Sequence, residues 1–276
     1  MTRIGDQFEK VIVILSSGRT GTTALARIFD QAYESVCGKH EPKPSRRLRR
    51  EGFAYLAGRR SLEQMVESLT RARTRLCAEI DEPIYVESNP YLLGYMEVLD
   101  SVFGQPQVIH VTRDPRTLIP SALNFGVQRG LKRFFSTFVP HWMVKPEEMH
   151  SSPERTWSQM SEVERFAWYW RIANEHLDRA AAIYGDRYRR VRYEDLFNGQ
   201  ADNLRDLADW MGLHERPGAL EPMLSRRVNR SRAKIMPAWP DWSPQDRESL
   251  ERQCAKLMRS YGYEEPSFTA SADSNG

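Results

Sequence analysis

The sequence predicts an α/β protein in which a central parallel sheet is flanked by helices. Short runs rich in β-branched residues, at 11–15 and 108–111, alternate with segments whose apolar residues recur at helical spacing. This alternation favours parallel strands, because each connecting helix covers one face of the sheet. The chain has 276 residues, of which 40% are hydrophobic, and can bury a full core. We expect a single domain over residues 1–265 and a frayed, polar tail over 266–276.

The predicted elements follow one another as strand, tight loop and helix. The first unit has its strand at 11–15, a Ser-Ser-Gly turn and a helix at 22–31. The second unit has its strand at 108–111, followed by Asp114 and Pro115, a pair that commonly starts a helix. Further predicted elements are a strand-like turn at 36–37, strands at 85–87 and 188–192, and helices at 91–102, 162–184, 202–211 and 244–261.

Composition excludes several classes of protein. A formal net charge of +3 is modest for this length and does not indicate a nucleic-acid binder. The apolar run at 11–15 is too short to span a membrane, and Asp6 and Glu9 precede it where a signal peptide would be basic. We therefore expect a cytoplasmic protein without a membrane span. Three cysteines without a CxxC pair indicate neither a disulfide framework nor a zinc site.

The loop between the first strand and the first helix is suited to an anion. Its residues are Ser16, Ser17, Gly18, Arg19, Thr20, Gly21, Thr22 and Thr23. Backbone N–H groups and the positive end of a helix dipole converge at such a loop, and glycines let a phosphate approach closely. Compared with the P-loop pattern GxxxxGK[ST], Ser16 replaces the first glycine and Thr22 replaces the lysine. A magnesium triphosphate is therefore not expected here, and Arg19 is the cation of the loop.

This loop resembles the 5′-phosphosulfate loop of sulfotransferases, in which a Lys or Arg precedes a Ser/Thr-Gly-Thr-Thr/Ser core. Arg113 at a strand end, with Ser121 eight residues later, is similar to the 3′-phosphate site of that family. Residues 191–196, which contain Tyr193, look like the YEDL segment of the family. The resemblance extends from residue 11 to about residue 263. It implies a P-loop NTPase-like sulfotransferase fold.

The resemblance also implies a reaction, the transfer of a sulfuryl group from 3′-phosphoadenosine 5′-phosphosulfate (PAPS) to a hydroxyl or amine. The implied donor-binding residues are Ser17, Gly18, Arg19, Thr20, Gly21, Thr22, Thr23, Arg113, Ser121 and Tyr193, with Arg230 and Ser231 as weaker candidates in a late basic segment. In-line transfer needs a cation near the leaving oxygen and a base near the attacking oxygen. Arg19 suits the first role electrostatically. No metal is required.

The base is not fixed by the sequence. Glu41 is the leading candidate, because the Glu41-Pro42 pair resembles a pair that supplies the base in the heparan-sulfate-type branch of the family. His40 and Glu87 are alternatives. A histidine beside a charged loop is more commonly a surface residue.

The acceptor is also open, with small-molecule, lipid and carbohydrate acceptors all compatible with such a fold. Residues 43–60 and 129–160 are the segments expected to select it, the latter as a lid or insertion. Residues 46–50 contain four arginines, which indicate either a solvated face or an anion site. Two other functions compete with sulfotransfer: a P-loop kinase, and a non-enzymatic protein that binds a polyanion through its basic clusters.

Overall fold

The computed structural model describes residues 3–127, 144–149, 154–224 and 236–263. Five strands form its sheet: β1 (Lys10–Ser16), β2 (Val36–His40), β3 (Ile84–Ser88), β4 (Gln107–Thr112) and β5 (Tyr188–Arg192). Their order across the sheet is β2-β3-β1-β4-β5, and every neighbouring pair is parallel. The predicted fold class is confirmed.

Helices connect the strands and cover both faces of the sheet. They are α1 (Thr22–Ala32), α2 (Ser45–Leu56), α3 (Leu62–Ala78), α4 (Leu99–Phe103), α5 (Pro115–Val127), α6 (Pro146–Met149), α7 (Glu162–Asp178), α8 (Ala180–Tyr184), α9 (Tyr193–Leu196), α10 (Asp202–Met211), α11 (Glu221–Leu224) and α12 (Pro244–Ser260). Short 3₁₀ segments lie at Ile4–Gln7, Pro90–Val98, Trp157–Gln159, Gly185–Arg187 and Trp239–Asp241. Within the described ranges, no helix combines the length and the hydropathy needed to cross a bilayer.

The register of the sheet brings the candidate residues to one edge. Ser88 pairs with Ile14 on one side and with His40 on the other. Ser16 pairs with Val111, one residue before the end of β4. Because all five strands are parallel, their carboxyl ends meet at this edge. The connection after β1 runs toward β2, whereas the connection after β4 runs toward β5, so the strand order reverses between β1 and β4. Ligands of open α/β sheets bind at such a reversal.

Alternating residues of the central strands feed two separate cores. Val13 and Leu15 pack into the core formed with α3, α4, α7 and the 3₁₀ segment Pro90–Val98. Ile12 and Ile14 pack against α1 and α10 on the other face. All four of these β1 side chains are fully buried. Burial on both faces explains the continuous apolar run at 11–15, since a strand with one solvated face would alternate apolar and polar residues. β1 is thus fixed from both sides directly before the loop at residues 16–23, called the phosphate loop below.

Helix α2 crosses the 3₁₀ segment Pro90–Val98 almost backbone to backbone. A Cβ added to Gly94 would lie 2.5 Å from the Cα of Gly52, closer than any side chain tolerates. The crossing therefore requires glycine at position 94. This crossing fixes the position of α2 relative to the segment that follows β3. α2 starts four residues after Glu41.

Several predicted boundaries were correct, and others were wrong. Strand 188–192 and helix 202–211 have the observed bounds. The helix predicted at 91–102 is instead the 3₁₀ segment followed by α4, and Pro90 and Gly94 both disfavour a regular α-helix there. The helix predicted at 162–184 is two helices, α7 and α8, which meet at Arg179.

Candidate active site

The phosphate loop is built from residues in the left-handed backbone region. Gly18, Arg19 and Gly21 have φ angles of 88°, 59° and 76°. Alternation of left-handed residues with ordinary ones turns successive N–H groups toward a common point, which creates an anion-binding concavity. α1 begins at Thr22, directly after this turn, so the positive end of its dipole adds to the attraction.

Two hydroxyl groups of the loop indicate that a polar ligand belongs there. The Oγ of Ser17 and the Oγ1 of Thr20 are buried and have no hydrogen-bond partner among the described residues. Buried hydroxyls without partners are rare and costly, commonly by about 1–3 kcal/mol each. The space above Gly18 is open, since an added Cβ would meet no atom within 4 Å. These features fit an anionic group with several acceptor oxygens.

Arg19 and Ser121 meet across the sheet edge. The Nη2 of Arg19 donates to the Oγ of Ser121 at 3.3 Å, although the two residues are 102 positions apart in sequence. The Nη1 of Arg113 donates to the backbone carbonyl oxygen of Arg19 at 2.8 Å. The structure thus brings together the three residues that the sequence analysis assigned to the two phosphate sites.

Arg113 is held in place by contacts on three sides. Besides the carbonyl of Arg19, its Nε donates to the Oγ1 of Thr117 at 3.1 Å. Its guanidinium carbon lies 4.3 Å from the ring centroid of Tyr193, and Tyr193 in turn packs against Phe197, with ring centroids 4.9 Å apart. The rings of Tyr193 and Phe197 pack directly against the loop at Gly21. A Cβ on Gly21 would lie 2.7 Å from Phe197 and 2.9 Å from Tyr193.

The segment after β4 is tied to the YEDL segment through residues that the sequence analysis did not single out. The Oε1 of Glu194 accepts a hydrogen bond from the backbone N–H of Asp114 at 3.0 Å. Tyr263 donates to the other carboxylate oxygen of Glu194 at 3.2 Å and contacts Thr112 at 2.9 Å. Asp114 accepts from both the backbone and the guanidinium of Arg116, as expected for a helix-starting aspartate. Only side-chain contacts between segments distant in sequence reveal this network.

His40 connects the phosphate loop to the end of β3. Its Nδ1 lies 3.0 Å from the carbonyl oxygen of Ser88, and its Nε2 lies 2.8 Å from the Oγ1 of Thr23. A carbonyl only accepts, so Nδ1 carries the proton in this contact. In the neutral imidazole Nε2 then accepts, and the Thr23 hydroxyl donates to it. His40 therefore supports the loop through Thr23.

Glu41 is held in an unfavourable backbone conformation beside His40. Its φ angle is 45°, and its N–H donates to the carbonyl of Ser88 at 3.2 Å. Its Oε1 lies 3.5 Å from the Nε2 of His40, and its side chain is 32% exposed. Residues other than glycine in this region cost about 1–3 kcal/mol and concentrate at functional sites. Arg19 and Glu41 are two of the three such residues in the described parts of the chain.

Glu87 has a different environment from the other candidate bases. Its carboxylate is fully buried and is paired with Arg73 through two hydrogen bonds of 2.6 and 2.5 Å. Tyr85 and Asn89 donate to the same carboxylate at 2.7 and 2.8 Å. Burial alone would lower the pKa of Arg73, but the charge and hydrogen bonds of Glu87 raise it above its usual range. Four donors already occupy this carboxylate, which gives it a structural role.

Some of the predicted site lies outside the described residues. Arg230 and Ser231 fall there, as does most of the predicted insertion at 129–160. Within the described residues, no group of three or more His, Cys, Asp or Glu side chains is arranged to hold a metal ion.

Comparison with known proteins identifies a family. Residues 11–217 match the model of the sulfotransferase family, which is more than half of the chain. No curated protein sequence matches the chain. The matched region includes the phosphate loop, Glu41, the YEDL segment, and Arg113 and Ser121, which both contact Arg19.

Solved structures with the same fold are also sulfotransferases. The sulfotransferase domain from the curacin biosynthetic pathway is 15% identical with a TM-score of 0.55, over 94% of this chain and all of that one. Mouse sulfotransferase SULT7A1, solved in complex with PAP, is 11% identical with a TM-score of 0.53, over 94% and 88%. A sulfotransferase from Alicyclobacillus acidocaldarius is 14% identical with a TM-score of 0.50, over 92% and 96%. At these identities the likeness shows the shared fold.

Proposed function

Because this chain belongs to the sulfotransferase family, we propose that it transfers a sulfuryl group from PAPS to a hydroxyl or amine of an acceptor by in-line displacement. The observation that carries the proposal is the meeting of Arg19, Arg113 and Ser121 above a concave loop with unpartnered hydroxyls. Such a site offers cations and donors to two separate phosphate groups. SULT7A1, of similar fold, was solved with PAP.

The phosphate loop holds the 5′ end of the donor. Backbone N–H groups of residues 19–23 and the hydroxyls of Ser17 and Thr20 donate to its oxygens, which satisfies the two groups that lack partners. Arg113 and Ser121 hold the 3′-phosphate. Tyr193 and Phe197, packed against each other beside Arg113, offer an apolar surface to the nucleoside.

Arg19 stabilises the leaving group. As the bond from sulfur to the bridging oxygen breaks, negative charge develops on that oxygen, and a fixed guanidinium nearby lowers the barrier. Arginine stays protonated, so this contribution is electrostatic and involves no proton transfer. The left-handed backbone of Arg19 and the anchoring of its carbonyl by Arg113 hold the side chain above the loop.

Glu41 is the proposed base. The acceptor hydroxyl loses its proton as its oxygen attacks sulfur, and a carboxylate within hydrogen-bond reach can receive it. Glu41 lies at the carboxyl end of β2, is partly open to solvent and, among the described residues, is within ion-pair distance of His40 alone. His40, whose Nε2 accepts a hydrogen bond from Thr23, supports the loop next to Glu41. Glu87 is not assigned this role, because Arg73, Tyr85 and Asn89 already donate to its oxygens.

Two measurements test the proposal. Adenosine 3′,5′-bisphosphate (PAP) should raise the unfolding temperature more than ATP with magnesium does, because only the former presents a 3′-phosphate to Arg113. Incubation with PAPS and a panel of acceptors should consume the donor and yield PAP. Stronger stabilisation by ATP and magnesium, with no stabilisation by PAP, would replace sulfotransfer with a kinase.

A further inference from the structure

The arginine-rich segment after Glu41 is not used by the donor site. Lys43, Arg46 and Arg50 are exposed, whereas Arg49 is turned inward and lies 5.0 Å from the ring centroid of Tyr91. Arg46 and Arg50 are four residues apart on α2 and therefore share one face of the helix. The face begins directly beside the proposed base, because α2 starts at Ser45, whose Oγ donates to the carbonyl of Pro42 at 2.5 Å.

No carboxylate among the described residues forms an ion pair with these three cations. Two acidic side chains on α2 and α3 are paired with other arginines: Glu51 contacts Arg47 and Arg60, and Glu67 contacts Arg71. Two like charges at positions i and i+4 destabilise a helix by a few tenths of a kcal/mol. This unfavourable arrangement is relieved when an anion binds.

This face of α2 and the proposed donor site follow different strands of the sheet. The cations assigned to the donor follow the inner strands β1 and β4, whereas Lys43, Arg46 and Arg50 follow β2, an edge strand two positions from β1. β2 and β4 are three strand positions apart, which corresponds to about 14 Å. Glu41 lies on the β2 side, so an acceptor whose hydroxyl reaches Glu41 would extend over the start of α2.

We propose that Lys43, Arg46 and Arg50 form an acceptor subsite that selects molecules carrying an anionic group, a carboxylate, sulfate or phosphate, near the hydroxyl that is sulfated. This inference rests on the proposed function and adds the chemical class of the acceptor. The subsite acts on affinity and selection, whereas the chemical step stays with Arg19 and Glu41.

The test compares matched acceptors that differ by one charge. With PAP bound, the affinities of methyl glucoside and methyl glucuronide, and of glycerol and glycerol 3-phosphate, are measured by titration calorimetry at about 50 mM salt. We expect the anionic member of each pair to bind about three- to tenfold more tightly, and the difference to vanish at high salt. Dextran and polygalacturonate form a third pair, which distinguishes a small acceptor from a polymeric one.

The double variant Arg46→Gln/Arg50→Gln should remove the preference for the anionic members. The control Arg75→Gln/Lys256→Gln changes the net charge by the same amount at two exposed positions on α3 and α12 and should keep it. PAP affinity should be unchanged in both. A preference that survives in the first variant, or no preference or binding in any pair while PAP binds normally, overturns this inference alone. Failure of PAP to bind overturns the proposed function.

Discussion

The guanidinium of Arg113 hydrogen-bonds the backbone carbonyl oxygen of Arg19, 94 residues away, at 2.8 Å. A side chain assigned to the 3′-phosphate therefore supports the backbone of the residue assigned to the leaving oxygen. Arg19 returns the connection through its own contact with Ser121. The two ends of the donor site are one hydrogen-bonded unit.

Arg113→Ala and Ser121→Ala should both weaken PAP binding, because each removes a contact to the 3′-phosphate. The loss should be larger for Arg113→Ala, which also releases the carbonyl of Arg19. A charged hydrogen bond is commonly worth about 1.5–3 kcal/mol, or roughly ten- to a hundredfold in affinity. Calorimetric titration with PAP measures the loss, and Arg216→Ala, an exposed arginine on the surface, is the control. Unchanged affinity in both variants would contradict the assignment of the 3′-phosphate site.

Arg19→Ala should abolish turnover while the protein stays folded, since it removes charge stabilisation worth about 3–4 kcal/mol at a dry site. Arg19→Lys should retain substantial activity, because it keeps a positive charge at the same position. Thermal unfolding verifies the fold, and single-turnover release of PAP measures the rate. A near-normal rate in Arg19→Ala would remove this residue from the mechanism.

Glu41→Gln should slow the chemical step by roughly 10²–10⁴-fold and leave PAP affinity unchanged, because glutamine keeps the size of the side chain but cannot accept the proton. His40→Ala should have a milder effect on the rate, with some loss of donor affinity through Thr23. Single-turnover rates at saturating donor separate these effects. A fully active Glu41→Gln enzyme would transfer the role of base to His40.

Glu87→Gln should act on stability and not on the chemical step. Removing the charge leaves Arg73 buried without its counter-ion, which commonly costs about 3–5 kcal/mol. Urea unfolding should show this loss, and the folded fraction should retain its single-turnover rate. A folded, stable and inactive Glu87→Gln enzyme would restore Glu87 as a candidate base.

Gly21→Ala should weaken both stability and PAP binding, and Gly18→Ala is its matched control. Both positions have positive φ, so an alanine is strained at either one, by about 1–2 kcal/mol. Only at Gly21 would the new methyl group also push against Tyr193 and Phe197. Urea unfolding and PAP titration of the two variants compare strain alone with strain plus displacement of the rings. Equal losses in both would show that the rings move freely.

Acid should destabilise the protein through His110, which is fully buried between Tyr188 and Asn174, with Asp178 and Arg190 nearby. Burial lowers the pKa of His110 to about 4 from its ordinary value of 6.5.

Between pH 6.5 and pH 4 the unfolded chain binds a proton at this position and the folded chain does not, so stability falls with falling pH, by about 3 kcal/mol at most. The free energy of unfolding as a function of pH measures this slope. His110→Gln should reduce the slope in that window, and His214→Gln, at an exposed position, should leave it unchanged. An equal slope in His110→Gln and the parent protein would assign the acid sensitivity to other groups.

The sequence predicted the elements around the loop after β1 better than those that follow β2. Strand 11–15, the glycine loop and helix 22–31 are adjacent in sequence, so local patterns describe them, and Arg113 follows a second strand of the same kind. Helices α2 and α3 were not predicted, because arginines occupy much of α2 and the periodicity of its apolar residues is weak. The connections made by Glu194, Tyr263 and Ser88 depend on pairing between distant segments, which no local pattern contains.

The contact of α2 with the segment after β3 combines the close backbone approach of Gly52 and Gly94 with inward-facing side chains such as Arg49 over Tyr91. Among the described residues, Arg46 and Arg50 form no ion pair or cation–π contact with that segment. Substitutions at Arg46 and Arg50 should therefore leave Glu41, His40 and the phosphate loop in place. The proposed acceptor subsite and the residues proposed for the transfer step thus lie on different structural elements. Exchange of the exposed arginines of α2, the proposed acceptor subsite, should therefore change which acceptors bind and leave the residues proposed for the transfer step in place.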